Sequence, residues 1–113
     1  MIKKYHINYS SYDAEASFTV DTEKFTEQMA LATLEFFTWD YDKDANPIDE
    51  AVKKYAMKAI KIATFENYAL NGVIERFNDE EGFYPVDGTY GIELIDVSGY
   101  EFDESKIKMK ISY

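Results

Sequence analysis

Asp40, Asp42 and Asp44 stand at alternate positions in Asp40-Tyr41-Asp42-Lys43-Asp44, which is how the first half of a calcium-binding loop presents its carboxylates. Calcium needs several oxygen ligands wrapped around it, and alternate acids in a turning segment supply them. The second half of the motif is incomplete. Where the sharp turn wants glycine the chain has Ala45, and where a bidentate glutamate should close the site it has Ala51, while Pro47 sits where the loop normally pairs. Glu50, one residue early, closes the loop only with altered geometry. Asp40, Asp42, Asp44 and Glu50 are therefore the candidate metal ligands, and a calcium-responsive domain is one functional expectation.

Other chemistry has little to work with. His6 is the only histidine, on the polar face of a predicted strand, and there is no cysteine for a thiolate nucleophile, a disulfide or a zinc site. A strand histidine without evident neighbours is read as a surface residue rather than a general base. No nucleophile elbow, phosphate-cradling glycine loop, dinucleotide fingerprint or zinc-protease helix is present. The expectation is a non-enzymatic protein that needs no cofactor.

The strongest signal is the charge distribution. Residues 75–104 carry Glu75, Asp79, Glu80, Glu81, Asp87, Glu93, Asp96, Glu101, Asp103 and Glu104 against Arg76 alone, so this stretch supplies −9 of the net −10. Such a field repels nucleic acid and anionic membranes and attracts basic protein surfaces. Phe83, Tyr84, Tyr90, Tyr100 and Phe102 are interleaved with those acids, offering aromatic anchors inside a negative rim. Glu80, Glu81, Phe83, Tyr84, Tyr90, Tyr100, Phe102, Asp103 and Glu104 are the candidate partner-binding residues. The implied partner is a basic-surfaced protein, with no direct nucleic-acid contact and no membrane.

The elements that position these residues follow from periodicity. Residues 2–9 and 14–20 alternate apolar and polar, predicting an N-terminal hairpin with Tyr5, Ile7, Tyr9, Ala14, Ala16, Phe18 and Val20 on one face. Asp21 or Thr22 caps a first helix, with Phe25, Met29, Ala32, Phe36 and Trp39 on its stripe. Leu31, Leu34 and Phe37 lie off that stripe, so the helix is apolar nearly all round and needs cover on more than one side, between the sheet and the next helix or at a self-association or partner surface. Asn46-Pro47 opens a second helix in the favoured cap and first-turn positions. Its apolar face runs Ile48, Val52, Tyr55, Ala56, Ala59, Ile60 and Ala63, and its back carries Lys54, Lys58 and Lys61. The lysine back reads as a solvated face.

Residues 66–78 predict a short third helix, interrupted by Asn71-Gly72, and 79–91 a long loop with its own function or a short strand. Residues 92–97 and 106–112 predict a closing hairpin with Ile107, Met109 and Ile111 inward and Lys106, Lys108 and Lys110 outward. The fold class is α+β: one domain over 1–113, an antiparallel sheet of about four strands, and two main helices plus a short third on one face. The 113 residues, with 46% apolar content and 19 aromatics, suffice for one packed core. No apolar run is long enough to span a membrane, the N-terminus lacks the apolar core of a signal peptide, and the lack of cysteine suits a reducing cytoplasm.

The stretches Phe36-Phe37-Thr38-Trp39-Asp40-Tyr41-Asp42, Asn46-Pro47-Ile48-Asp49-Glu50, Lys54-Tyr55-Ala56 and Val97-Ser98-Gly99-Tyr100-Glu101-Phe102-Asp103 together resemble a small family of bacterial and phage-borne proteins defined by a domain of unknown function. The resemblance runs over most of the chain and implies no activity, cofactor or catalytic residue. It points to an accessory protein on mobile DNA, a setting in which small acidic proteins block nucleic-acid-binding proteins by charge mimicry. The leading expectation is accordingly an acidic binding protein that modulates or inhibits a protein partner.

Overall fold

A computed structural model describes residues 1–9, 14–37, 40–66, 68–99 and 108–112. The elements run β1 (Ile2–Tyr9), β2 (Ala14–Asp21), α1 (Glu27–Phe36), α2 (Pro47–Phe65), α3 (Leu70–Phe77) and β3 (Ile92–Ser98). The strands form an antiparallel sheet in the order β1-β2-β3. The expected hairpin is present, with Tyr5 opposite Phe18 and His6 opposite Ser17. Along β2, Ala14, Ala16, Phe18 and Val20 are buried while the residues between them are half-buried, as a sheet covered on one face requires.

Helix α2 lies across the inner face and touches all three strands. Its start is as expected: the Asn46 side chain accepts the Ile48 N–H at 2.8 Å and Pro47 opens the helix. All seven residues of its expected apolar face are buried. At the centre, the Tyr55 ring stacks on Phe77 and meets Phe18, Phe25 and Phe83 edge-on. Each such buried aromatic contributes about 1.5–3 kcal/mol through removal of apolar surface from water. Beside β1, the Tyr5 hydroxyl donates to Asp49 at the first turn of α2, and Lys3 stands 3.8 Å from the same carboxylate.

Three expectations are corrected. Helix α1 starts at Glu27, capped by Thr26, because Asp21 is occupied with a turn of its own: its carboxylate accepts the Glu23 N–H and its carbonyl accepts the N–H groups of Lys24 and Phe25. Gly91 packs directly on that turn at a φ of 92°, and a Cβ there would stand 2.6 Å from the Phe25 nitrogen. The later start changes the phase of α1. Its buried residues are Ala30, Thr33 and Leu34, with Phe37 partly buried a turn on, while Ala32 and Phe36 face outward. Among the described elements α1 packs only on α2, so it does not lie between the sheet and its neighbour.

The third helix is shorter than expected, since Glu66, Tyr68 and Ala69 precede Leu70 without helical structure. Among the described residues the fourth strand is not found. Residues 108–112 have no regular structure, and Met109 and Ile111, expected inward, are 81% and 64% exposed. Lys106 and Ile107 lie outside the described residues. The sheet has three strands, and the α+β class holds.

Candidate functional site

The candidate calcium ligands do not converge. The Asp42 carboxylate accepts the Asp44 N–H at 2.9 Å, closing a local turn, and the Asp42 N–H donates to Glu50 at 2.9 Å. The other Glu50 oxygen meets the Lys53 ammonium at 2.7 Å, and Lys54 donates to the Asp40 carbonyl at 3.0 Å. Glu50 is buried, and the Lys53 ammonium, followed by the Asp42 N–H, holds its carboxyl below the usual glutamate range. Both of its oxygens are therefore engaged within the protein. Among the described residues no three acidic, histidine or cysteine side chains gather where a metal ion would sit, which corrects the expectation for Asp40, Asp42, Asp44 and Glu50.

The partner-binding candidates separate into three sets. Phe83 is a core residue, packed against Tyr55, Phe77 and Phe37. Glu80 is paired inside the protein, 2.7 Å from Arg76 and 3.3 Å from Lys58. These two leave the candidate surface, because neither a buried ring nor a neutralised carboxylate is available to a partner. Tyr100, Phe102, Asp103 and Glu104 lie outside the described residues. Glu81, Tyr84 and Tyr90 remain on the surface.

Those three belong to a contiguous strip. Tyr84 packs against Tyr90 at 5.5 Å between ring centres and edge-on against Phe25 at 6.1 Å. Between the 82–84 segment and α1 runs a cleft of about 240 Å³, lined by Ala32, Thr33, Phe36, Gly82, Phe83 and Tyr84. Phe36 is 56% exposed at one end of the strip and Tyr90 is 44% exposed at the other. Gly82 makes the cleft possible: at φ 88°, a Cβ on it would stand 2.4 Å from the Phe36 ring and 2.5 Å from that of Phe37. The strip is anchored from beneath, where the Tyr84 N–H donates to the Tyr55 hydroxyl at 2.8 Å. Burial pushes that phenol up to about 12. Thr33 Oγ1 lies beside the same hydroxyl, near enough to moderate the rise, but without hydrogen-bonding geometry to any described residue.

Three exposed carboxylates neighbour the strip residues in sequence: Glu35 precedes Phe36, Glu81 precedes Gly82, and Asp87 falls between Tyr84 and Tyr90. Asp87 is held below the usual aspartate range by the hydroxyl and N–H of Thr89. None of the three forms an ion pair among the described residues. The other described acids of the stretch are dispersed, with Glu75 and Asp79 on and after α3 and Glu93 and Asp96 on β3.

Phe36 and Glu35 were missed because the predicted stripe of α1 placed Phe36 inward. Ala30, Thr33, Leu34 and Phe37 have the same three- and four-residue spacing as the expected stripe, so spacing alone does not choose between the two faces. His6, expected to stand alone, does not: its Nδ1 is 2.7 Å from Ser17 Oγ, and its Nε2 is 3.5 Å from Glu15.

Comparison with models of known protein families, with curated proteins and with solved structures returned no match to this chain. Among the described residues no helix is long and apolar enough to cross a membrane.

Proposed function

We propose that this chain is an acidic protein-binding module that modulates or inhibits a basic-surfaced cytoplasmic partner through the Phe36–Tyr84–Tyr90 strip. The observation that carries this reading is the cleft between Phe36 and Tyr84, continued by the Tyr84–Tyr90 contact, with exposed carboxylates at the sequence neighbours Glu35 and Glu81. Aromatic anchors supply affinity once desolvated, and the acids supply steering and rejection of anionic competitors. A nucleic-acid-binding partner suits this chemistry, since such proteins expose the basic surface that the strip complements. The outward Phe36 also favours a second reading, self-association through α1.

The test compares capture from nuclease-treated bacterial lysate by the wild-type chain with capture by a Phe36→Ala, Tyr90→Ala, Glu81→Gln variant. A stoichiometric partner held by the wild type, lost by the variant and weakened by salt supports the binding reading. Equal capture by both chains overturns it. A dimer mass that depends on Phe36, with no captured partner, selects self-association.

A further inference from the structure

The geometry points to Ser17 as a base-activated nucleophile on the outer face of the sheet, and we infer that it takes the acyl group from small activated acyl donors. This site lies on the opposite side of the sheet from the helices and is independent of the binding strip. The antiparallel register sets His6 of β1 directly across from Ser17 of β2, so both side chains project from the same face. The Nδ1 to Oγ separation of 2.7 Å is a hydrogen bond, and Glu15, two residues before Ser17 on the same face, stands 3.5 Å from the other ring nitrogen. In the tautomer with the imidazole proton on Nε2, facing Glu15, Nδ1 is left to accept the Ser17 proton. The order carboxylate, imidazole, hydroxyl is the arrangement that makes a serine nucleophilic, here with the two ring nitrogens in exchanged roles.

Two further observations fall at the same place. The β2–β3 ladder slips between Ser17 and Phe18, where Ser17 pairs with Asp96 and Phe18 with Leu94, so Ile95 is the extra residue of a bulge. Bulges re-aim side chains and are enriched beside active sites. The face also carries a shallow depression of about 490 Å³ whose lining includes Lys4, His6, Ser17, Thr19 and Ile95. Ile95, 45% exposed, offers apolar area for an acyl chain, and the Lys4 ammonium offsets negative charge developing on the carbonyl oxygen.

In the step, the Ser17 Oγ–H proton passes to His6 Nδ1 as Oγ bonds to the ester carbonyl carbon. The carbon–oxygen bond to the leaving alcohol then breaks, and the proton on Nδ1 goes to that alcohol. Nothing is oxidised or reduced, and the product is Ser17 carrying an acyl ester. The His6 side chain is 55% exposed and that of Glu15 31%, so the site is open to water and suits small donors without strong selectivity.

The experiment treats the full chain with a fluorophosphonate probe and, separately, with p-nitrophenyl acetate, and maps the modified residue by peptide mass. Expected are a label on Ser17, none there in Ser17→Ala, and a rate lowered on the order of 10²-fold in His6→Asn at an unchanged melting temperature, the usual size of a general-base contribution. Glu15 is a positioning residue. In Glu15→Gln the Ser17 labelling rate falls at an unchanged melting temperature, and Glu15→Asp, which returns a carboxylate to the imidazole, restores part of it. Probe found on lysines or tyrosines but not on Ser17 overturns the inference. So does a Ser17 labelling rate that His6→Asn leaves unchanged. If a variant fails to fold, the wild-type peptide map decides by itself.

Discussion

In the 40–50 loop Glu50 closes over the Asp42 backbone and onto Lys53, whereas in the 79–91 loop Glu81 and Asp87 stand in solvent beside exposed rings. Both segments are acidic and both adjoin a helix, so composition alone does not separate them. What separates them is the supply of cations within reach, since Asp87 has only the neutral donors of Thr89. The first turns of α2 bring Lys53 and Lys54 back over the 40–50 loop, and its free N–H groups complete the set. In the 79–91 loop only Glu80 meets cations, Lys58 and Arg76, and its neighbours keep their charge for whatever approaches from outside. A carboxylate shapes the fold when donors surround it and shapes recognition when they do not.

The contrast is tested most severely by removing what anchors the second loop. Phe83→Ala leaves a cavity among Tyr55, Phe77 and Phe37 and is expected to cost about 3–5 kcal/mol in urea unfolding, the usual range for a buried phenylalanine. A loss below about 1 kcal/mol would return Phe83 to the binding surface. Next comes Gly82→Ala, where the new methyl group meets Phe36 and Phe37 and the backbone keeps a positive φ. The expected cost is about 1–3 kcal/mol. Partner capture should fall with it, since Phe36 must move to make room.

How much of this was legible in the sequence follows the range of the interactions involved. The β1–β2 hairpin and α2 are encoded locally, by alternation in Ala14–Val20 and by the Asn46-Pro47 cap, and both stand where they were read. Helix α1 was read with the wrong phase because Asp21 is a good cap by type, and only its bonds to Glu23, Lys24 and Phe25 show that it is used elsewhere. The alternation of Lys108-Met109-Lys110-Ile111 satisfies the pattern of a strand, but a strand also needs an edge to pair with, and pattern says nothing of that. The burial of Phe83 and the pairing of Glu80 depend on α2 and α3 arriving from elsewhere in the chain. Arg76, four residues before Glu80, is the local part of that information; Lys58 and Tyr55 are not visible from any window around residues 79–84.

Within the first loop, Glu50→Gln tests whether its carboxylate is structural. The folded carboxyl is held below its unfolded value, so its stabilisation is present above the unfolded glutamate pKa and is lost as pH falls through the lower, folded one. The variant is expected to be less stable at neutral pH by about 1 kcal/mol, a figure kept small because Lys53 is largely exposed. Wild type and variant should converge in acid, as followed by thermal melts across pH. Millimolar calcium should leave the melting temperature of both unchanged. A rise in the wild type alone would restore the metal reading of Asp40, Asp42, Asp44 and Glu50.

The smallest effect on stability belongs to the second loop, and there it is the informative one. Glu81→Gln removes an exposed charge that has no ion partner among the described residues, so the unfolding midpoint should stay within about 0.5 kcal/mol of wild type. Binding should respond where stability does not. With one carboxylate fewer at the rim, the partner should associate more slowly and lose less affinity as salt is raised, measured as on-rates at two ionic strengths. Unchanged salt dependence would mean that the rim charges serve solubility alone, leaving the aromatic cleft to carry recognition. A stability loss above about 1 kcal/mol would mean that Glu81, like Glu50, is held by donors in the fold, and the distinction between the two loops would then rest on Asp87 and Glu35.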